Sequence, residues 1–230
     1  MGVIITRTTE SHLDYFARNL TVGKDSQVAT AHGYVSAARL VDAAAEPLYL
    51  TDVKAYLRFA EHEHDQDGEI HTWIKSARQK LEKDTGLALK TQSWRVTVDQ
   101  FPFYRQSLYL PVWPVQSIDR FVYVDRDGTE QNLLESPSRF LLGSTARPAQ
   151  LGLVDTATWP TDGRHFQPGT LELTAGWTQD ADIPAELLMA MKKLIGDFAG
   201  FRESALIGQV AGAPESYDAL IAAWVLPGGA

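Results

Sequence analysis

The stretch GEIHTWIKSARQKLEKDTGLALKTQSWRVTVD, residues Gly68 to Asp99, decides the fold class because its hydrophobic period changes within it. In its first half, apolar residues recur at helical spacing, at Ile70, Trp73, Ile74, Ala77 and Leu81. Gly86 then occupies the position where a glycine ends a helix. From Ser93 the period is two, with one face formed by Trp94, Val96 and Val98 and the other by Arg95, Thr97 and Asp99. The stretch therefore predicts a helix that leads into a β-sheet.

A second helix precedes this one. Thr51 is a good N-cap, Asp52 lies favourably in the first turn, and the helix is predicted over residues 51–59. A polar loop separates it from the longer helix, which is predicted over residues 68–85. Residues 48–91 thus form a predicted helical hairpin.

Residues 1–47 are predicted to be an N-terminal arm. They show no sustained hydrophobic period apart from two short possible helices, around His12–Leu20 and in the Ala-rich segment Val35–Ala45. The alternative for the arm is a locally disordered extension.

Residues 92–178 are predicted to form a β region. The dipeptide Asp127-Gly128 favours a tight hairpin turn between two of its strands. Besides the strand from Ser93, the predicted strands are Leu108–Leu110, Ile118–Val124, Gln131–Leu134, Phe140–Leu142, Leu151–Val154 and Thr170–Ala175.

Residues 179–230 are predicted to return to helix. Pro184 is well placed at a first helical position, and a wide apolar stripe predicts a helix over residues 184–203. A last helical segment is predicted over residues 215–225. Helices, then strands, then helices indicate an α+β protein, in which a helical bundle (51–59, 68–85, 184–203, 215–225) carries an inserted, mainly antiparallel β region (92–176).

Composition excludes several classes of function. The chain has 230 residues, 44% of them hydrophobic, and no cysteine, so we expect a folded core without disulfides or cysteine metal sites. Its Lys+Arg 21 and Asp+Glu 29 give a formal net charge of -8, which opposes sequence-independent nucleic-acid binding. No stretch approaches the ~20 apolar residues that a bilayer span requires, so no membrane partner is expected.

The sequence predicts no catalytic, cofactor-binding or metal-binding residue. The run EHEHDQDGEIH, residues Glu61–His71, lacks the His-Glu-x-x-His spacing of a zinc site and the ligand order of a calcium loop. It is interpreted as a solvated loop. The carboxylate pairs Asp180/Asp182 and Glu82/Asp84 lie where a helix start or a helix face places them anyway, and no glycine-rich phosphate loop is present.

Tryptophan provides the predicted contact residues. Of the 6 tryptophans, Trp113 between two prolines and Trp224 near the C-terminus are predicted to lie at subunit contacts, where aromatic anchors are enriched. The others are interpreted as core packing.

Five segments in order resemble the head-tail connector family (adaptor, or head-completion proteins) of long-tailed double-stranded DNA bacteriophages. They are LTDVKAYLRF, GEIHTWIKSARQKLEKDTGLALKTQSW, LYLPVWPVQSIDRFVYVDRDG, LELTAGW and IPAELLMAMKKLIGDFAGFRES. The similarity rests on Ala77, Leu81, Glu82, Thr85 and Gly86, on the strand entry Leu110–Ile118, on Gly176-Trp177 and on Arg202-Glu203. It covers roughly residues 48–226.

The resemblance implies a structural virion protein without enzymatic activity. Such proteins form a ring of about twelve copies that binds the portal protein and the next neck or tail-completion protein, while genomic double-stranded DNA passes through without specific binding. The implied location is the virion neck, after assembly in the host cytoplasm. The predicted portal contact is an apolar strip of Tyr217, Leu220, Ile221, Trp224, Val225 and Leu226; its alternative is packing against the chain's own bundle.

Two rival hypotheses remain open at this stage. One is a cytoplasmic ligand-binding module that uses the sheet as a platform. The other is a small metal-dependent hydrolase that uses His62, His64, Asp65 and Asp67.

Overall fold

The computed structural model describes residues 27–30, 33–102, 106–136, 139–204 and 215–226. In this part of the chain the protein is α+β, as predicted. Its helices are α1 (Leu50–Leu57), α2 (Asp67–Thr85), α3 (Ala185–Ser204) and α4 (Glu215–Ile221). Its strands are β1 (Gln27–Thr30), β2 (Gly33–Val41), β3 (Gln92–Val98), β4 (Leu108–Tyr109), β5 (Val115–Val124), β6 (Glu130–Asn132), β7 (Phe140–Gly143), β8 (Gln150–Leu153) and β9 (Gly169–Ala175). None of the helices in the described ranges is both long and apolar enough to cross a membrane.

The strands form two antiparallel sheets that enclose one hydrophobic core. The larger sheet has the order β1-β2-β3-β9-β5-β6, and the smaller has the order β4-β8-β7. Side chains from both sheets are buried together, among them Val96, Phe121 and Leu171 from the larger sheet and Leu108 and Leu151 from the smaller one. Alternation along the strands of the larger sheet directs these residues to one face.

The helices enclose a second core. Helix α2 contributes Ile74 and Leu81, and α3 contributes Leu187 and Ile195; all four side chains are buried. Burying an aliphatic side chain of this size stabilises the fold by about 1.5–3 kcal/mol. Helices α1 and α4 pack against this pair and complete the helical layer.

The ends of α1 and α2 differ in how well the sequence predicted them. Gly86 ends α2 as predicted, with φ 76° and its N–H donating to the carbonyl of Glu82 at 2.9 Å. A Cβ at this glycine would lie 3.1 Å from Leu226 Cδ1, so close packing also favours glycine. The predicted Thr51 cap was wrong: α1 begins at Leu50, its N-cap is Tyr49, and no side chain caps it.

The Ala-rich segment Val35–Ala45 is not a helix. Most of it is strand β2, which pairs with β3 in the register Val35↔Val98 and Ala37↔Val96. Pairing with a central strand and burial of Val35 outweigh the helix propensity of alanine. Thus residues 33–41 belong to the sheet, whereas the helix predicted around His12–Leu20 lies outside the described residues. The domain limits 1–47, 48–91, 92–178 and 179–230 stay a prediction.

The other boundaries agree with the prediction to within a few residues. Helix α3 begins one residue after the predicted Pro184, and the last predicted helix stops at Ile221 and continues as a turn. Strand β6 ends at Asn132, and a short 3-10 helix, Leu133–Glu135, replaces the rest of the predicted strand.

Candidate functional site

Trp113 joins the two cores of the molecule. Its half-buried side chain packs against both the β core and the helical core. Its indole Nε1 donates to the carbonyl of Ser144 at 3.0 Å, and its ring meets that of Trp177 edge-on with centroids 5.4 Å apart. Its own carbonyl accepts from the N–H of Ala88 at 2.8 Å. Trp113 therefore fixes the β region to the segment that follows α2.

Arg147 connects this tryptophan to the C-terminal segment. Its guanidinium carbon lies 5.6 Å from the ring centroid of Trp113 and 4.6 Å from that of Trp224. Trp224 in turn donates from Nε1 to Glu186 Oε2 at 2.8 Å, which attaches it to α3. Cation–π contacts of this kind contribute about 0.5–1 kcal/mol each at exposed sites. We call Trp113, Trp177, Trp224 and Arg147 the tryptophan junction.

The predicted apolar strip at the C-terminus divides into buried and accessible residues. Tyr217, Ile221 and Leu226 are buried in the chain's own helical core, with 1%, 6% and 2% exposure. Leu220 and Trp224 are half-buried, and Val225 is exposed. Packing against the chain's own helices, the alternative considered for the strip, thus accounts for three of its residues. A partner contact through Trp113, Leu220, Trp224 and Val225 stays a prediction.

Tyr217 anchors this segment by a polar contact as well as by burial. Its hydroxyl donates to Asp84 Oδ2 at 2.7 Å, and Lys80 of the same helix binds that oxygen at 2.8 Å. Burial, together with the Asp84 carboxylate, raises the pKa of the Tyr217 phenol, which therefore stays neutral and donates at physiological pH. The backbone N–H of Leu226 also donates to the Thr85 carbonyl at 2.8 Å.

A buried ion-pair network lies on the other side of α2. The fully buried Arg78 donates to both carboxylate oxygens of Glu46, at 2.7 and 3.1 Å, and to Glu82 Oε2 at 3.0 Å. Arg39 of β2 donates to the same Glu82 oxygen at 2.6 Å. The other Glu82 oxygen accepts from the backbone of Leu89 and from the side chain of Gln92. The network thus links β2, the segment after it, α2 and the start of β3.

Asp42 completes this network at its solvent-facing rim. Its Oδ1 lies 3.0 Å from nitrogen atoms of Arg39 and Arg78 and accepts from the N–H of Ala43 at 2.9 Å. Partial burial opposes ionisation, but the hydrogen bonds and charges of these donors prevail and lower the pKa of Asp42 to about 2.

This network was not predicted, although the sequence contains a signal for it. Ile74, Arg78 and Glu82 are spaced four residues apart and therefore lie on the same face of α2. Because Ile74 is on the buried face, Arg78 and Glu82 had to be buried with it, and two buried charges of opposite sign are expected to pair. Glu46 and Asp42 gave no comparable signal because their contacts with Arg78 span the turn between β2 and α1.

Residues 61–66 of the histidine and acid run form a loop that is tied to α1, and residues 67–71 belong to the start of α2. Lys54 of α1 lies 2.5 Å from Asp67 Oδ1 and donates to the carbonyl of Glu63 at 2.6 Å, while His64 Nδ1 lies 2.9 Å from Asp67 Oδ2. Lys54 first, and then His64, lower the pKa of Asp67. Among the described residues no three His, Asp or Glu side chains converge as a metal site requires.

Three of the carboxylates singled out in the sequence, Asp180, Glu82 and Asp84, have partners of their own. Asp180 contacts Lys90 and accepts from the hydroxyl of Tyr49 at 2.8 Å. These donors, Lys90 before Tyr49, lower the pKa of Asp180. Glu82 and Asp84 contact different partners, Arg78 and Tyr217, so the structure does not combine these two carboxylates into one site.

Comparison with known proteins shows that this chain is similar in fold to several solved structures. No protein-family model and no curated protein matches the sequence. Among solved structures, a chain of the virion of the native gene transfer agent particle aligns with TM-score 0.66 and 18% identity, over 83% of this chain and 95% of that one. A chain from the neck of the empty particle, with C6 symmetry, aligns with TM-score 0.62 and 20% identity, over 83% of this chain and 95% of that one. A chain from the neck of the native particle, with C12 symmetry, aligns with TM-score 0.57 and 20% identity, over 81% of this chain and 95% of that one.

Proposed function

We propose that this chain is a structural, non-enzymatic subunit of the neck of a phage-like particle. In this proposal about twelve copies form an adaptor ring that joins the portal protein of the head to the next neck or tail component and extends the DNA channel. The observation that carries the proposal is the likeness to chains of neck structures over 95% of their length, one of them with C12 symmetry. The sequence resemblance to head-tail connectors supports it independently.

The charge of the molecule suits a ring through which DNA moves. With a formal net charge of -8, the chain repels the phosphate backbone, so DNA would slide past it without being retained. Identical subunits that repeat one heterologous contact form a closed ring when the rotation from each subunit to the next divides a full turn evenly.

We infer that the accessible part of the C-terminal strip contacts the portal. Val225 is 38% exposed and is followed by Leu226, whose side chain is buried against Gly86. The tryptophan junction holds this strip against α3 and the β region, so Leu220, Trp224 and Val225 are presented on an ordered support. An ordered apolar strip loses little conformational entropy on binding.

The mass of the assembly tests this proposal. The purified chain is mixed with the portal protein from the same particle, and the mass of the complex is measured by mass photometry. Twelve copies of the 25.5 kDa chain add about 306 kDa to the portal. An unchanged portal mass at micromolar concentrations would contradict the adaptor role.

A further inference from the structure

A loop at the end of the sheet that faces away from the helices has unusual features. At one end of β3, the Gln92 side chain donates to Glu82 of α2 at 2.7 Å, so this end touches the helical layer. At the other end, Val98 pairs with Gly169, and residues 161–168 immediately precede that glycine. A seven-residue strand spans roughly 20 Å. We call residues 161–168 the distal loop.

The distal loop exposes an aromatic side chain. Phe166 is 73% exposed, the largest exposed fraction among the large apolar side chains of the described residues. Single exposed apolar residues are common on protein surfaces and alone indicate nothing. The conformation of the backbone beside Phe166 makes this one informative.

Gln167 has φ 47°, in the left-handed region that residues other than glycine rarely adopt. The Arg164 guanidinium donates to the Gln167 carbonyl from Nε at 3.1 Å and from the second terminal nitrogen at 3.0 Å. These two hydrogen bonds from the Arg164 guanidinium hold the backbone of Gln167 in this conformation. Phe166 lies between Arg164 and Gln167 in the chain, and its side chain faces solvent.

The loop is also bonded to the hairpin between β5 and β6. The N–H of Arg164 donates to the carbonyl of Val124 at 2.9 Å, and the N–H of Arg126 donates to the carbonyl of Asp162 at 2.9 Å. Val124 in turn donates to the carbonyl of Pro168 at 2.8 Å. Phe166 therefore projects from a loop that is fixed on both sides, as side chains that dominate binding interfaces commonly do.

The charges around this loop favour a basic partner. Among the described residues at this end of the sheet, the acidic side chains outnumber the basic ones: Asp99, Asp125, Asp127, Asp155 and Asp162 against Arg126, Arg139 and Arg164. Each of the three arginines donates to a main-chain carbonyl of residues 158–167, so much of its hydrogen-bonding capacity is used within the chain. The same face of a second copy would repel this one by like charge.

We propose that Phe166 and its acidic surroundings form a docking surface for a different protein, one that offers an apolar pocket bordered by Lys or Arg. This inference rests on the proposed function, because the partner would be the neck or tail component on the side away from the portal. The aromatic ring would fill the pocket, and the aspartates would set orientation and increase the association rate.

Head-tail joining tests this docking surface. Heads that carry the wild-type ring, Phe166→Ala, Phe166→Leu or Leu141→Ala are mixed with purified tails, and joined particles are counted by electron microscopy. Leu141, 59% exposed on β7, is the matched apolar control. Phe166→Ala should lower the rate of joining at least about tenfold, Phe166→Leu should retain most of it, and Leu141→Ala should leave it unchanged. Raising the salt concentration should slow wild-type joining because it screens the charges.

The outcomes separate this inference from the proposed function. Phe166→Ala heads that carry the ring and join tails at the wild-type rate would overturn the docking surface alone. Wild-type heads that contain no ring of this protein would overturn the adaptor role and the docking surface with it.

Discussion

At the scale of single residues, Arg78 has a large predicted effect on stability. It is fully buried, and its partners Glu46 and Glu82 come from different parts of the chain. Replacing both ions of such a pair by apolar groups is often neutral, whereas removing one leaves a buried charge without its counter-ion. The network therefore makes the packing of β2 onto α2 sensitive to single substitutions.

Arg78→Ala should lower the free energy of unfolding by about 3–5 kcal/mol, because Glu46 and the buried Glu82 would both lose the ion-pair partner they share, and only Arg39 would remain for Glu82. Urea unfolding followed by tryptophan fluorescence measures the change. Arg95→Ala is the matched control, since Arg95 forms an exposed ion pair with Glu172 at 2.8 Å and should cost only about 0–1 kcal/mol. Equal losses in the two variants would contradict a special role for the network.

The ionisation of Asp42 predicts how the free energy of unfolding depends on pH. Its pKa is about 2 in the folded chain and about 3.9 in an unfolded one. A folded pKa below the unfolded value stabilises the fold fully above about pH 4, and this contribution is lost as pH falls through about 2.

Asp42→Asn should therefore be less stable than the wild type at pH 7, and the difference should shrink below about pH 4 and be largely lost near pH 2. Because the Asp42 side chain is 34% exposed, solvent screening reduces the expected difference to about 1 kcal/mol. Urea unfolding at a series of pH values from 7 to 2 gives the comparison. A difference that stays constant over this range would mean that Asp42 does not titrate as described.

At the scale of secondary-structure elements, strong periodicity predicted the structure well and weak periodicity did not. Helix α2 and strand β9 were predicted almost to the residue because each shows one uninterrupted period. Strand β2 was mistaken for a helix because its alanines carry little β signal. Its identity depends on pairing with β3, which a local pattern cannot show.

The candidate interface shows the same division. The sequence grouped the apolar residues of the C-terminal segment, but it could not tell which of them face α2 and α3. That distinction depends on contacts from distant positions, such as Thr85 to Leu226 and Glu186 to Trp224. The tryptophan junction likewise joins a loop residue, Arg147, to two rings far away in sequence.

The C-terminal segment should separate stability from binding. Tyr217→Ala should lower the free energy of unfolding by about 3–5 kcal/mol, since it removes a buried aromatic ring. Val225→Asp should change it by less than about 0.5 kcal/mol because the side chain is partly exposed. Portal binding should nevertheless weaken at least about tenfold in Val225→Asp.

Thermal unfolding and surface-immobilised portal binding measure these two quantities. Single substitutions are preferable to deleting residues 217–230, because the deletion would also remove three side chains of the helical core. Wild-type portal affinity in Val225→Asp would place the portal contact elsewhere.

At the scale of the whole molecule, the described part of the chain has two ends with different chemistry. The helical end carries the tryptophan junction and the accessible apolar strip, and the opposite end of the sheet carries the distal loop with its acidic surroundings. Two distinct surfaces at opposite ends suit a protein that joins two different partners. The contacts of the half-buried Trp113 with both cores keep these ends in a fixed relation.

The most direct test of the adaptor role is electron microscopy of the purified chain mixed with the portal protein of the same particle. We expect a second ring of density, stacked coaxially on the portal, with about twelve subunits and with the C-terminal strip against the portal surface. The adaptor role would be contradicted if both proteins are folded and the images show only bare portal rings beside free subunits.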